Sequence, residues 1–581
     1  MTEVLVPDRF ADAARRPALR PEHRPEHHPE QDASAAPALS VRGLSVGFRR
    51  NGVVRPVVHD LSFDLPAGHC VAIVGESGSG KSVTARALVG LAGEGAVVSA
   101  ERLALGDVDL TAVTERRWRA IRGRRIGFIL QDALVSLDPL RPVGREIGEA
   151  LRLHGWGSRN ERRRKVLDLL DSVGVPAPGL RARQRPGELS GGLRQRALIA
   201  SALALDPELI LADEPTTALD VTVQAQVLEL LGQRKRQGAS VVLISHDFSV
   251  VAHLADSVLV MKGGHIVESG PADEVLRNPR HEYTRRLLKA VPGAATRGRP
   301  LSPDAPPSVP ASAARSAERF AGIDGPVLEA TGLVKSFRAP DGSRSTAVDG
   351  VSFRLERGTT LGIVGESGSG KSTTARLALA LESPDAGEVT LLGQPWSAVP
   401  ESRRRALRGR ISVVYQDPLS SFDPRWNTER ILLDAVAAED YPDARARGGR
   451  VRELLEQVGL GEEVLPRFPL TLSGGQRQRV AIARALASSP SVLVLDEAVS
   501  ALDVSVQAQI LDLLVVLQRE LGLSYLFISH DLGVIHHLSD TVLVMKDGVV
   551  VERGDAVRIL TAPEHPYTRQ LVRSLRTLEQ S

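Results

Sequence analysis

The 581-residue chain has a single cysteine, Cys70. One thiol closes no internal disulfide and supplies no cysteine-rich zinc or iron–sulfur site. Such a composition suits a reducing compartment, and Cys70, opening an apolar run, reads as a buried, inert thiol. Long hydrophobic runs are missing too: no stretch approaches 18 consecutive apolar residues, so no segment is expected to span a bilayer. The start, MTEVLVPDRFADAARRP, lacks a basic run followed by an apolar core and is not expected to be a signal peptide. Charge of one sign is also lacking. Lys+Arg number 73 against 70 Asp+Glu, a net charge of +3 that gives no reason to expect a nucleic-acid partner. Any membrane role has to come through partners.

What the chain does have is a repeat. GESGSGKS occurs at 75–82 and 365–372, and LSGG at 189–192 and 472–475. ADEPTTALDV (212–221) is echoed by LDEAVSALDV (495–504), LISHDFSVV (243–251) by FISHDLGVI (527–535), and HEYTRRLL (281–288) by HPYTRQLV (565–572). The offset is 290 residues at the first motif and 283–284 at the other four, which means duplication of a whole domain rather than a short repeat. Composition sets the boundaries. Residues 1–37 contain RPEHRPEHHPE (20–30), rich in Pro and charge, and read as a disordered tail whose His23, His27 and His28 are solvated rather than metal ligands. Residues 293–325, rich in Pro, Ala and Ser, read as a flexible linker between domains at 38–292 and 326–581.

Within each domain, short apolar runs alternate with helical patterns. VAIVG (71–75), LILAD (209–213) and VVLIS (241–245) read as buried strands, as do LGIVG (361–365), VLVLD (492–496) and YLFIS (525–529). The alternation predicts two tandem α/β domains, each with a mostly parallel sheet and chemistry at the C-terminal strand ends. GESGSGKS fits the phosphate-binding P-loop, G-x-x-x-x-G-K-[ST]. In it Gly75, Glu76, Ser77, Gly78, Ser79 and Gly80 turn backbone N–H groups inward around phosphates, ahead of a helix N-terminus at Lys81, Ser82 and Val83. The second loop repeats this with Gly365, Glu366, Ser367, Gly368, Ser369 and Gly370, then Lys371, Ser372 and Thr373. Lys81 and Lys371 would hold the β- and γ-phosphates of a nucleotide, and Ser82 and Ser372 a Mg²⁺ ion. Paired acids, Asp213–Glu214 and Asp496–Glu497, close a later strand in each half. Strand alternation would send the aspartate toward Mg²⁺ and the glutamate toward an attacking water.

LSGGLRQR and LSGGQRQR, lying between a P-loop and an acidic strand end, resemble the signature of the ATP-binding-cassette (ABC) ATPases. The resemblance runs from residue 38 to 581 except for the linker. It implies a P-loop NTPase fold with a helical subdomain in each half. It also implies ATP and Mg²⁺ as ligands, and head-to-tail pairing in which each ATP lies between one P-loop and the other cassette's signature. Ser190, Gly191 and Gly192, and Ser473, Gly474, Gly475 and Gln476, would then bind the γ-phosphate side through a helix N-terminus. Gln131 and Gln416 match the Q-loop glutamine, a Mg²⁺ and water contact. His246 and His530 match the switch histidine, and with Glu214 and Glu497 they form the implied catalytic set. Asp220 and Asp503 match the loop that communicates across the cassette pair, and Phe48 and Phe337 match an aromatic stacked on adenine. Leu193 stands where the second half has Gln476 and offers no hydrogen bond toward ribose or a nearby loop, so the two sites are expected to be similar but unequal.

SLDPLRPVGREI (136–147), SFDPRWNTERI (421–431) and the H-x-Y-T-R tails are similar to the dipeptide/oligopeptide/nickel importer ATPases, including fused two-cassette members of the glutathione-importer type. A tail cysteine cluster common among those relatives is absent here. The resemblance implies an ATP-hydrolysing subunit on the cytoplasmic face of the membrane. It would serve two transmembrane permeases and, through them, an extracytoplasmic substrate-binding protein. The alternative is a soluble tandem cassette acting on ribosome or nucleic acid.

Overall fold

In the computed structural model the described residues are 3–4, 37–131, 136–216, 219, 221–293, 296–303, 325–338, 344–436, 443–500 and 502–580. The chain divides into two compact units, one built mainly from residues 1–285 and one mainly from 286–577.

The first unit is organised around Cys70–Val74, a fully buried strand. It pairs in parallel with Ser257–Lys262 on one side and Ser240–Ile244 on the other, and Leu209–Asp213 and Ile126–Ile129 extend the parallel array. His265–Pro271 closes the edge as an antiparallel hairpin partner of Ser257–Lys262. These strands read as continuous apolar runs because helices cover both faces of a parallel sheet. A second, antiparallel sheet is built on Leu39–Arg50, paired with Val53–Leu65, Ala96–Ser99 and Arg102–Leu105. Helices Val143–Leu153, Arg159–Ser172 and Gly191–Ala202 pack on one another as a helical subdomain. Burial pushes the Cys70 thiol well up, as expected of an inert core group.

The second unit repeats the plan. Thr360–Val364 lies between Ser524–Ile528 and Thr541–Lys546, with Val492–Asp496 and Ile411–Val414 beyond and Val549–Asp555 as the antiparallel edge. Its core joins the sheet to helices Gly474–Leu486 and Val504–Leu521 through Leu493, Leu495, Ile510, Leu514 and Phe527, all fully buried. Truncating one such leucine to alanine costs about 2–5 kcal/mol, because its cavity refills only in part.

At two places the structure departs from the boundaries read from composition. Inside the segment expected to be a disordered tail, Glu3–Val4 forms a short strand parallel to Ala96–Ser99. An open sheet edge there satisfies backbone groups that local composition says nothing about. Residues 5–36, with His23, His27 and His28, lie outside the described residues. At the other place, residues 296–302, counted with the expected linker, pack onto the second unit. Asp512, buried in helix Val504–Leu521, accepts from the backbone N–H groups of Leu301 and Ser302 at 3.0 and 2.7 Å. Arg297 donates to the carbonyl oxygens of His536 and Ser539, capping the end of helix Leu532–Leu538. The start of the segment read as linker is ordered here by partners more than 200 residues away in sequence.

Candidate functional site

In each unit the P-loop, the paired acids and the histidine lie at the C-terminal ends of neighbouring parallel strands. Gly75 follows Cys70–Val74, Asp213 ends Leu209–Asp213, and His246 follows Ser240–Ile244. These strands are adjacent in the sheet. In the second unit Gly365, Asp496 and His530 hold the same places.

The first glycine of each loop is dictated by space. A Cβ on Gly75 would lie 2.2 Å from the Met261 carbonyl oxygen, and one on Gly365 2.2 Å from that of Met545. Gly80 and Gly370, both at positive φ, start helices Lys81–Leu88 and Lys371–Ala378. Lys81 is buried, and its ammonium donates to the carbonyl oxygens of Gly75 and Glu76 at 2.7 and 2.9 Å. Lys371 makes the same bonds to Gly365 and Glu366, both at 2.8 Å. Each lysine is thus fixed inside the curl of its own loop, its stem in protein and its charge at the helix start. Ser77, Gly78, Ser367 and Gly368 form the exposed tips of the loops, and Val83 and Thr373 lie in the first helical turns.

Ser82 Oγ donates to Asp213 Oδ1 at 3.0 Å, whereas Asp213 Oδ2 is buried with no hydrogen-bond partner. Burial and the adjacent Glu214 charge raise the Asp213 carboxyl above its usual range, against the pull of Ser82. A carboxylate oxygen orphaned beside a hydroxyl is the hard oxygen donor set that Mg²⁺ takes, so Ser82 and Asp213 fit that ion. No group of three or more His, Cys, Asp or Glu suited to a metal occurs among the described residues. Ser372 and Asp496 repeat the pair at 3.4 Å, with Asp496 raised by the same burial and by Glu497.

Glu214 and Glu497 have left the strand. Both have left-handed backbones, φ 49° and 50°, with their N–H groups held by the Ile244 and Ile528 carbonyl oxygens at 2.9 Å. A non-glycine residue there costs about 1–2 kcal/mol and persists only where its surroundings hold it. The acids therefore separate through this turn and not through strand alternation. Each glutamate faces a histidine: His246 Nδ1 lies 3.2 Å from Glu214 Oε1 and His530 Nδ1 3.5 Å from Glu497 Oε1. Burial opposes a charged imidazole, but the hydrogen bond and charge of the glutamate outweigh it and raise both histidines above their ordinary value. Glu497 is correspondingly lowered, burial being outweighed by His530. Gln131 Nε2 donates to Glu214 Oε2 at 2.9 Å, so this glutamine reaches the glutamate rather than the Ser82–Asp213 pair. Gln416 is exposed just beyond Ile411–Val414.

The signature serines cap helices. Ser190 precedes Gly191–Ala202 and accepts from Leu193 N–H; Ser473 precedes Gly474–Leu486 and accepts from Gln476 N–H at 3.2 Å. Gln476 Oε1 takes the Ser473 N–H in return at 3.1 Å, a reciprocal capping box. The difference between Leu193 and Gln476 is therefore written first into the helix start: Gln476 spends its acceptor at home, and Leu193 has none to spend. Leu193→Gln should complete the missing box and stabilise the first signature helix by about 0.5–1 kcal/mol. Slower amide exchange at residues 190–193 would confirm this; unchanged exchange would refute it. Asp503 caps Val504–Leu521, accepting from Val506 N–H at 3.2 Å, and Asp220 lies outside the described residues. Phe48 is partly buried against the core, and Phe337 is 41% exposed with the Lys335 ammonium 5.7 Å from its ring centre.

Sequence reasoning missed Tyr283 and Tyr567, whose hydroxyls touch the P-loops. The H-x-Y-T repeat was the available signal, and it served only as a mark of resemblance.

A strand-end P-loop, a buried aspartate beside its serine, a strained glutamate held by a histidine and a serine-capped signature helix, all present twice, define a nucleotide-hydrolysing P-loop protein. The ABC transporter family model matches residues 58–217 and 348–500, more than half of the chain, and the chain belongs to that family of ATP-binding, ATP-hydrolysing proteins. A second model, the oligopeptide/dipeptide transporter C-terminal region, matches 267–318 and 551–581. The peptidoglycan transport ATP-binding protein YejF of Agrobacterium fabrum is 44% identical over 94% of this chain and 98% of its own. The glutathione import ATP-binding protein GsiA of Escherichia coli is 42% identical over 95% of this chain and 91% of its own. The oligopeptide transport ATP-binding protein OppD of Mycobacterium tuberculosis is 41% identical over 92% and 98%.

Proposed function

We propose that the chain is the ATP-hydrolysing subunit of an importer for peptides or similar small solutes. It would be bound to the cytoplasmic face of the membrane through two permease subunits and supplied by an extracytoplasmic binding protein. The observation that carries this reading is the oligopeptide/dipeptide C-terminal region, matched once in each half and each time behind a full set of cassette motifs. Among the described residues no helix is long and apolar enough to cross a membrane, so coupling to transport would run through partner proteins. Exposed apolar side chains beyond the first Q-loop and on the helical subdomain support a docking surface of that kind: Leu140, Leu153, Trp156 and Leu180. Docking of permeases there would pull on Gln131 and, through its hydrogen bond, on Glu214.

In the reaction, Lys81 and the loop amides would hold the nucleotide phosphates while Glu214, kept in place by His246 and Gln131, orients the attacking water. Mg²⁺, when bound at Ser82 and Asp213, would neutralise charge on the phosphate oxygens. The second unit would do the same with Lys371, Glu497 and His530. One chain would supply both cassettes of a head-to-tail pair, since both halves carry P-loop, signature, glutamate and histidine.

Gentle detergent extraction followed by affinity capture of the chain should recover integral membrane subunits in stoichiometric amount, with ATPase activity that rises on adding the binding protein and its solute. Recovery of ribosomes or nucleic acid without membrane subunits would overturn the reading.

A further inference from the structure

The tails carry a device repeated in both units that the cassette motifs do not account for. Tyr283 lies in the first turn of helix Glu282–Lys289 and is buried, 5% exposed. Its hydroxyl oxygen accepts the backbone N–H of Glu76, the second residue of the P-loop, at 3.1 Å. Tyr567 does the same for Glu366 at 3.0 Å. The ring of each tyrosine lies under an ammonium, Lys262 and Lys546, both 4.9 Å from the ring centre. Each backbone N–H of the tyrosines is taken by a histidine Nδ1, His281 at 3.1 Å and His565 at 3.2 Å. Those histidines are anchored in turn: Glu268 accepts from the His281 N–H at 3.2 Å, and Glu552 from the His565 N–H at 3.0 Å. Glu268 and Glu552 lie on the edge strands His265–Pro271 and Val549–Asp555. The H-x-Y-T motif thus has a mechanical reading. An edge-strand carboxylate fixes the histidine, the histidine fixes the tyrosine, and the tyrosine fixes the loop.

The peptide units so held matter because the P-loop lysine grips the same residue from the other side. Glu76 gives its N–H to Tyr283 and its carbonyl oxygen to Lys81; Glu366 gives its N–H to Tyr567 and its carbonyl oxygen to Lys371. The edge hairpin braces the same loop farther on, where Gly264 N–H donates to Ser79 O at 3.1 Å and Gly548 N–H to Ser369 O at 3.2 Å.

We propose that Tyr283 and Tyr567 are positioning residues of the two nucleotide sites, each hydroxyl holding the opening peptide of its P-loop in the conformation that receives phosphate. The tail motif is then a determinant of ATP affinity in its own cassette. The proposal rests on reading the P-loops as the nucleotide cradles. A loop that must be re-ordered on binding binds more weakly, whereas a pre-ordered one does not. Loss of the hydroxyl therefore acts on affinity more than on the chemical step.

The test uses the full chain and the non-hydrolysable analogue AMP-PNP with Mg²⁺, titrated by calorimetry, alongside steady-state ATP hydrolysis. Tyr283→Phe and Tyr567→Phe keep the ring and remove the hydroxyl that accepts from the P-loop. Each should weaken one of the two binding events about three- to tenfold and leave the other unchanged. KM for ATP should rise while kcat at saturation stays within about twofold, a split that simple loss of fold stability does not produce. Melting curves without nucleotide confirm that the variants are folded. Parent-like affinity and KM in both variants overturns the proposal, as does equal weakening of both sites by either single change. A parent chain that binds no AMP-PNP overturns the P-loop reading itself and this proposal with it.

Discussion

Glu214→Gln and Glu497→Gln should each leave Mg-ATP bound and cut turnover at their own site by about 10²–10³-fold, the usual scale for removing a group that stabilises developing charge. Glutamine preserves the shape of the side chain and demands nothing new of the left-handed backbone at these positions. What it removes is the negative charge that faces the histidine and, on the proposed mechanism, would orient water. Single-turnover hydrolysis by each variant reads the loss, and the double variant should be nearly inactive. Turnover unchanged in Glu497→Gln but abolished in Glu214→Gln would mean that only one site works.

The same substitution has a second readout. His530 is raised above 6.5 because Glu497 overcomes the burial penalty, so Glu497→Gln should lower its midpoint in an NMR titration. A midpoint that does not move would deny the coupling. The sign for stability follows. The His530 contribution is complete below 6.5 and fades as pH rises through its raised folded value. The contribution of Glu497, whose folded value is lowered, is complete above 4.5 and fades as pH falls through it. The pair therefore supports the fold most fully between about pH 4.5 and 6.5.

Lys81→Ala combined with Lys371→Ala should abolish ATP binding at working concentrations. Each lysine is only 6% exposed, its ammonium held by carbonyl oxygens of its loop. Alanine removes the charge proposed to hold phosphate together with two hydrogen bonds to loop carbonyl oxygens. Losing a desolvated charge contact of this kind costs on the order of 3–5 kcal/mol, about a hundredfold to several thousandfold in affinity. Either single variant should retain one tight site. Parent-like binding in the double variant, measured with a fluorescent ATP analogue, would reject both P-loop assignments.

The repeat, the parallel-sheet fold and the strand-end position of the P-loops, the paired acids and the histidines were legible in the sequence. They depend on local patterns: apolar runs of strand length, a glycine spacing that only a phosphate loop needs, and a serine ahead of two glycines. Duplication helped, since each motif in one half could be checked against the other.

Features that depend on residues distant in sequence were not legible. Strand alternation suggested how Asp213 and Glu214 divide, but only the packed structure shows Glu214 turned through a positive φ and facing His246. The stretch 296–302 was counted with the linker because the composition of residues 293–325 says nothing about Asp512, which orders part of it from about 210 residues away. Gln476, expected as a ligand contact, also closes a capping box with Ser473 that its sequence neighbours alone did not announce. The tail tyrosines read as a family mark until their hydroxyls were found on the P-loops, 207 and 201 residues away along the chain. Local sequence sets which backbone shapes are possible and which chemistry is present. Tertiary packing alone decides which of the groups able to hydrogen-bond actually meet, because a buried donor or acceptor takes whatever partner the fold brings within 3 Å.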